Sequence, residues 1–159
     1  MSTVPMTPEG LEKLHVQLRH IREVDRPQNV RDIEEARAHG DLKENAEYHA
    51  AKERQGHLDG QMKRIETMIA TAQIIDPTTL SGDRVVFGAT VTLVDAEEDD
   101  AEPVQYKIVG EHESDLSAGK ISYTSPVAKA LIGKSEGDEV PIHAPNGKKV
   151  VIIDEVDFV

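Results

Sequence analysis

Asp41 and Glu44 stand three residues apart in the stretch Gly40-Asp41-Leu42-Lys43-Glu44-Asn45-Ala46-Glu47-Tyr48. On a helix that spacing puts both carboxylates on one face, within about 6 Å of each other. Two carboxylates can share one Mg2+, a hard cation usually held by one or two acids together with water and phosphate oxygens. They do not make a complete active site, because no His cluster or phosphate-binding loop accompanies them in the sequence. Alone, the pair would hold Mg2+ weakly. Delivered into another enzyme's active site, it could complete a two-metal centre and orient a water for attack on a phosphodiester. A structural role uses the same residues. Asp41 is a good N-cap for a following helix, and Glu44 three residues on completes a capping box, worth about 1 kcal/mol.

Arg37, Lys43, Lys52 and Arg54 surround this pair. Phosphate contacts from such a patch would hold a nucleic-acid end near the carboxylates. Solvated helix charge with i,i+4 partners, such as Lys43 with Glu47, explains the same residues without function. Arg19, Arg22 and Arg26 could extend the patch along the preceding helix. The seven His show no metal-ligand spacing, and His39 and His49 beside the acids read as lone surface imidazoles.

The elements that carry these residues are legible from periodicity. Thr7 followed by Pro8 is a helix start, with Thr7 as N-cap and Pro8 at the first helical position. Leu11, Leu14, Leu18 and Ile21 form an a/d stripe, which Val30 and Ile33 resume beyond a kink expected at Pro27. The helix should stop at His39-Gly40, where glycine accepts a left-handed conformation. A second stripe runs through Leu58, Met62, Ile65, Ile69 and Ala72. Two such helices joined by a tight turn form an antiparallel coiled-coil hairpin, roughly 45 Å long for about 30 residues per arm. Its inward positions near the turn (Ala36, Ala46, Ala50 and Ala51) are small, so the acids sit at a slender tip near residues 40–45.

After Asp76-Pro77 the composition changes to short Val- and Ile-rich runs separated by Gly, Pro and Asn. Residues 89–95 and 104–109 alternate apolar and polar, and residues 121–123, 140–143 and 148–156 read as further strands. Ser125-Pro126 opens a short amphipathic helix through Val127, Leu131 and Ile132. The fold class is therefore α+β, with a helical hairpin over residues 1–76 and a small α+β domain over 77–159. Charge divides at the same point. Residues 1–76 carry 11 basic and 14 acidic side chains, or −3, and residues 77–159 carry 7 and 16, or −9.

A net charge of −12 excludes an autonomous, tight nucleic-acid binder held by bulk positive charge. With no Cys there is neither a disulfide framework nor a thiolate metal site. No apolar run approaches the roughly 20 residues that span a bilayer. A soluble, cytoplasmic protein is expected.

The run GDLKENAEYHAAKERQG at residues 40–56 closely resembles the hairpin tip of the Gre family of bacterial transcript cleavage factors. The likeness covers nearly the whole chain. It continues through PMTPEGLEKL near the start, AQIIDP at residues 72–77, VVFGATVTL at 85–93, YKIVGEHESD at 106–115 and ISYTSPVAKALIGKSEGDEV at 121–140, in the family's order. The resemblance implies an N-terminal antiparallel coiled coil and a C-terminal domain similar to the FK506-binding (FKBP-like) fold. The latter would dock at the rim of the RNA polymerase secondary channel through Thr124, Ser125 and Pro126. The coil would then reach the active site, where backtracked RNA presents its 3′ end. The family's catalytic acids fall on Asp41 and Glu44, which would share a weakly held Mg2+ with the polymerase. Its basic patch falls on Arg37 and Lys52, although many relatives carry Arg at the latter position. On this reading the chain is an accessory factor and a monomer, which stimulates the polymerase's own RNA hydrolysis and has no cofactor or membrane partner of its own.

Three other functions are weighed against it. A regulator could occupy the same channel without promoting cleavage, but Asp41, Glu44 and Tyr48 all stand where cleavage factors have them. A prolyl isomerase would line its pocket with aromatics, and the second domain has just Phe87, Tyr106, Tyr123 and Phe158. A plain coiled-coil adaptor would not require the tip motif.

Overall fold

The computed structural model describes residues 3–40, 45–98, 100–144 and 147–159. Two compact units emerge. One is Leu11–Ala72, and the other joins Thr3–Gly10 to Gln73–Val159.

The first unit is the helical hairpin. Helix α1 spans Pro8–His20, α2 spans Arg26–Ala38, and α3 returns over Ala46–Ala70. Leu14, Leu18, Ile21, Ile33 and Ala36 on the first arm and Ala51, Leu58, Met62 and Ile65 on the second are buried. These are the stripes expected from spacing, although Leu11 and Ile69 are half-buried, Ala72 lies beyond the end of α3, and Ala46 and Ala50, expected inward near the turn, are exposed. The kink expected at Pro27 takes the form of a π-helical turn at Ile21–Asp25, in which the Arg26 N–H donates to the Ile21 carbonyl five residues back. Pro27 explains its place. Proline has no N–H to offer the preceding turn, and its ring crowds the carbonyl four residues earlier. The π turn uses one residue more than an α turn. Inward positions therefore run from Ile21 to Asn29, then Ile33 and Ala36. Val30, expected on the apolar face, is 48% exposed. Asn29 takes the inward place instead and donates from Nδ2 to the Ala51 carbonyl of α3 at 2.9 Å. A buried Asn satisfied across a helix pair sets register, because a slipped pairing would leave it without a partner.

The second unit holds a five-stranded sheet in the order β5-β4-β3-β7-β6. Its strands are β3 (Thr90–Asp95), β4 (Val104–Val109), β5 (Lys120–Ser122), β6 (Glu139–Ala144) and β7 (Gly147–Asp157). Only β4 and β5 pair in parallel. One face, with Val91, Leu93, Ile108, Ile121, Val140, Val151 and Ile153, buries against the short helix α4 (Pro126–Leu131) through Ala128 and Leu131. A bulge between Thr92 and Leu93 moves the partner on β7 from Glu155 to Ile153. That extra residue reverses the alternation along β7, so that Val151, Ile153 and Val156 are all buried. Pro141 lies on the edge strand β6, where a missing donor is tolerated. Pro145 and Asn146, between β6 and β7, lie outside the described residues, and the two strands pair through Ala144 and Gly147.

The boundary expected at residues 76 and 77 falls instead after Ala72, and the chain's start joins the second unit. Two features hold it there. Strand β1 (Val4–Met6) pairs with β2 (Ala72–Ile74), and the Ile75 N–H donates to the Met6 carbonyl at 2.9 Å. In addition, the buried Glu113 carboxylate accepts from the Thr7 N–H at 3.1 Å, from the Thr7 hydroxyl and from the Gly110 N–H at 2.9 Å. Thr7 itself caps α1 as expected, its Oγ1 accepting from the Gly10 N–H at 3.2 Å. Neither strand of this pair has enough residues to show an alternating pattern, and a charged residue such as Glu113 reads from sequence as surface.

Candidate functional site at the hairpin tip

Asp41 and Glu44 lie outside the described residues, as do Leu42 and Lys43. The two helix ends that flank them are described. At the end of α2 the His39 N–H donates back to the Ala36 carbonyl at 3.1 Å, and Gly40 leaves the helix at φ +117°. That is the glycine stop expected from sequence.

The start of α3 differs from expectation. Asn45, not Asp41, is its N-cap, with extended backbone (φ −88°, ψ 97°) and Oδ1 accepting from the Tyr48 N–H at 3.1 Å. Two cap-competent residues lie four apart here, and sequence alone chose the earlier one. Asn caps as well as Asp, and it stands directly before the helix-forming run Ala46-Glu47. The same side chain donates from Nδ2 to the Ala36 carbonyl of α2 at 2.6 Å. Its amide therefore touches the ends of both helices. The N-cap position expected for Asp41 is thus taken by Asn45.

The basic residues divide between the two flanks of the hairpin. The Arg37 guanidinium carbon is 5.9 Å from the centre of the Tyr48 ring, which meets the His49 ring edge-on at 5.8 Å. A cation over an aromatic face at this distance contributes about 0.5–1 kcal/mol when exposed. Lys52 stands one helical turn beyond Tyr48 and donates to Gln55 Oε1 at 2.7 Å. Arg37 and Lys52 thus share a flank, both exposed. Arg54 does not join them. With Glu47, Ala50 and Ala51 it lines a cleft against Asp32, Glu35 and Ala36 of α2, and its guanidinium is 3.9 Å from Asp25. Residues 47, 50, 51 and 54 recur at helical spacing, which puts them on one face of α3. The patch expected from Arg37, Lys52 and Arg54 together is therefore two residues on one flank and one on the other.

The extension along Arg19, Arg22 and Arg26 is partly neutralised. Arg22 pairs with Glu66 at 2.8 Å and Arg26 with Asp59 at 3.7 Å. Among the described residues no group of three or more His, Asp or Glu gathers to hold a metal ion.

In the second unit, the segment expected to dock is rigidly built. Ser125 caps α4, its Oγ accepting from the Ala128 N–H at 3.2 Å. Thr124 is held by Ser122, whose Oγ lies 2.7 Å from the Thr124 hydroxyl and accepts the Thr124 N–H at 3.1 Å. Pro126, the first residue of α4, is exposed. Beside this loop runs a shallow groove lined by Ser114, Leu116, Lys120, Ile121, Ser122 and Ser125. Leu116 is 78% exposed. Sequence reasoning passed over Leu116, because a single Leu between Asp115 and Ser117 has no periodic partner to mark its direction.

Comparison with known proteins covers both units. A family described as "Transcription elongation factor, N-terminal" matches residues 4–74, and one described as "Transcription elongation factor, GreA/GreB, C-term" matches residues 80–158. The chain is similar to transcription elongation factor GreA of Anaeromyxobacter sp. (strain K), 57% identical over 100% of this chain and 95% of that protein. It is 53% identical to transcription elongation factor GreA of Novosphingobium aromaticivorans, over 98% of this chain and 96% of the other. Among solved structures, GreA factor homolog 1 of Thermus thermophilus is 26% identical, with 97% of this chain and 98% of that one covered and a TM-score of 0.43.

Proposed function

The chain belongs to the GreA/GreB family of transcription elongation factors, and on that premise we propose that it rescues arrested transcription by stimulating RNA polymerase's own cleavage of backtracked RNA. The second unit docks on the polymerase at the rim of the secondary channel through Thr124, Ser125 and Pro126. The hairpin enters the channel and brings Asp41 and Glu44 to the active site. Arg37 and Lys52, exposed on one flank, contact phosphates of the extruded RNA and hold its 3′ end beside the acids. Arg54, on the other flank and beside Asp25, takes no part in that contact.

Two carboxylates are a hard-oxygen donor set that suits Mg2+ and falls well short of a full coordination sphere. Mg2+ shared with the polymerase would supply Lewis-acid activation of the attacking water. Asp41 and Glu44 contribute ligand oxygens and negative charge at the place where the polymerase's own ligands leave the cation weakly held. Lacking a complete site, the chain is an accessory factor to a polymerase that performs the hydrolysis.

The observation that carries this reading is the cap on α3. Because Asn45 supplies it, capping of α3 does not account for Asp41.

The test uses a stalled, backtracked elongation complex with 5′-labelled RNA and Mg2+. Wild-type protein is expected to shorten the RNA to a product that can be extended again. Asp41→Asn, with unchanged melting and polymerase binding, should slow that shortening by about 10²-fold or more, as expected when an electrostatic contact to the reacting centre is lost. If neither protein shortens the RNA while both bind and alter elongation, the chain is a non-cleaving regulator of the channel.

A further inference from the structure

Charge is unevenly spread within residues 77–159. They carry 16 acids and 7 basic residues, yet residues 116–135 hold no acid and three of the lysines, Lys120, Lys129 and Lys134. Thr124, Ser125 and Pro126 lie in this acid-free stretch. On α4, Pro126 and Lys129 are three residues apart and both exposed, whereas Ala128 and Leu131 are buried. That spacing puts the proline and the lysine on one outward face.

Leu116 opens the same stretch, in a one-turn helix over Leu116–Ala118. An exposed Leu is by itself ordinary on a protein surface. What sets this one apart is how it is held. The backbones of Asp115 and Lys120 exchange two hydrogen bonds, each N–H donating to the other's carbonyl at 2.9 Å. Inside that closure the Ala118 N–H donates to the Asp115 carbonyl at 3.0 Å and the Gly119 N–H to the Leu116 carbonyl at 3.1 Å. The Asp115 carboxylate accepts from the Ser117 N–H at 3.1 Å and from the Ser117 hydroxyl at 2.6 Å. Gly119 completes the turn at φ +72°, a conformation that favours glycine. A turn so closely tied would ordinarily present Gly, Asn, Asp or Ser to water. This one presents a Leu that is 78% exposed.

The turn and the loop at Thr124–Pro126 form one surface. Leu116, Lys120, Ser122 and Ser125 line the same groove. Ser122 holds Thr124, and Ser125 caps α4. The surface is thus apolar at Leu116 and Pro126, carries hydroxyls at Ser122 and Ser125, and is positive at Lys120. Depletion of one charge sign around a large apolar side chain is what a docking face requires.

We propose that Leu116 and Lys120 belong to the polymerase-docking face, Leu116 as its apolar anchor and Lys120 as a flanking cation, and that the matching polymerase surface presents an apolar side chain beside a carboxylate. This rests on the reading of Thr124, Ser125 and Pro126 given above. The anchor is preset. Its backbone is already ordered, so little conformational freedom is lost when the side chain leaves water. Lys120 complements acid within a unit whose remaining charge repels it. Neither residue takes part in RNA hydrolysis, so both act on occupancy of the polymerase and not on the cleavage step.

The test is equilibrium binding of the whole chain to RNA polymerase at about 0.05 M and about 0.3 M salt, with melting measured for each variant. Leu116→Ala should bind about tenfold more weakly at both salt concentrations and melt as wild type does, because the side chain packs little within its own unit. Leu116→Met should stay within about threefold of wild type. Lys120→Glu should weaken binding about tenfold at the lower salt and less at the higher. Lys148→Glu is the control for net charge. Lys148 is exposed on β7, which β3 and β4 separate from β5 and Lys120, and its reversal should change affinity by no more than about twofold. Pro126→Glu tests the loop itself and should also weaken binding. In backtracked complexes, excess Leu116→Ala protein should bring cleavage back toward the wild-type rate.

Wild-type affinity in Leu116→Ala beside a weakened Pro126→Glu overturns the anchor and leaves the docking loop standing. A fall in melting temperature that tracks the loss of binding also overturns it, since the turn and not the side chain is then at fault. Equal losses in Lys120→Glu and Lys148→Glu overturn the flanking cation, because net charge alone then sets affinity. Wild-type affinity in Pro126→Glu overturns the reading of the loop first, and a face shared with that loop falls with it.

Discussion

Arg37 and Arg54 have the same side chain and different surroundings. Arg37 lies over Tyr48 on the flank shared with Lys52, whereas Arg54 is drawn toward Asp25 beside Asp32, Glu35 and Glu47. Arg37→Gln should therefore slow stimulated cleavage by about fivefold or more, the effect of losing one charge-assisted phosphate contact. Arg54→Gln should stay within about twofold of wild type in the same backtracked-complex assay. Equal losses would mean that charge anywhere near the tip suffices. At Asp95 the prediction concerns acid. Its carboxyl is held below the ordinary carboxylate range, chiefly by the Glu97 N–H donating to it, with the Glu98 N–H and Lys149 adding to the effect and desolvation opposing it. A depressed folded pKa gives stability that is present above the unfolded value of about 4 and lost as pH falls through the folded one. Asp95→Asn should thus reduce the acid dependence of the second unit's urea midpoint below about pH 4 and leave its slope near neutrality unchanged.

Gly10 and Glu113 show how an element can depend on a missing atom. Gly10 sits in the first turn of α1, where Ala would ordinarily be the better helix former by about 1 kcal/mol. A Cβ there would overlap the Glu113 carboxyl carbon, an overlap that the tied carboxylate cannot relieve by rotating away. Gly10→Ala should lower the melting temperature despite its helix propensity, by the 1–3 kcal/mol typical of overpacking, at about 4 °C or more by calorimetry. None of this was legible in the sequence, because a residue's partner 103 positions away leaves no local mark. What was legible followed periodicity. The stripes of Leu14, Leu18, Leu58, Met62 and Ile65 and the strand from Val104 to Val109 were readable because burial on one face imposes spacing. Beyond Pro27 the same logic pointed to Val30. A π turn adds a residue without changing composition, so the inward place went to Asn29. At the tip the cap was assigned four residues early because two good caps competed.

The molecule as a whole is acidic, and most of the excess lies in residues 77–159. Arg37 and Lys52, exposed on one flank near the tip, are a small positive group in a chain of net charge −12. The free protein should not retard single-stranded RNA in a gel at micromolar concentration and about 0.15 M salt, because few counterions would be released on binding. Retardation under those conditions would point to a self-sufficient RNA-binding surface. On the proposed function, affinity for the transcript depends on the polymerase supplying the position. The π turn at Ile21–Asp25 bears on something else, the length of the chain itself. Losing one residue from a helix normally rotates all that follows by about 100° and carries functional side chains to the wrong side. Here the loss of Val24, which is 50% exposed, would convert the π turn to an α turn and return Asn29, Ile33 and Ala36 to an unbroken seven-residue repeat with Ile21. The first arm thus has one place where descendants can shed a residue and keep their tip facing the same way, and a shorter relative aligned across this point need not differ in anything the hairpin does.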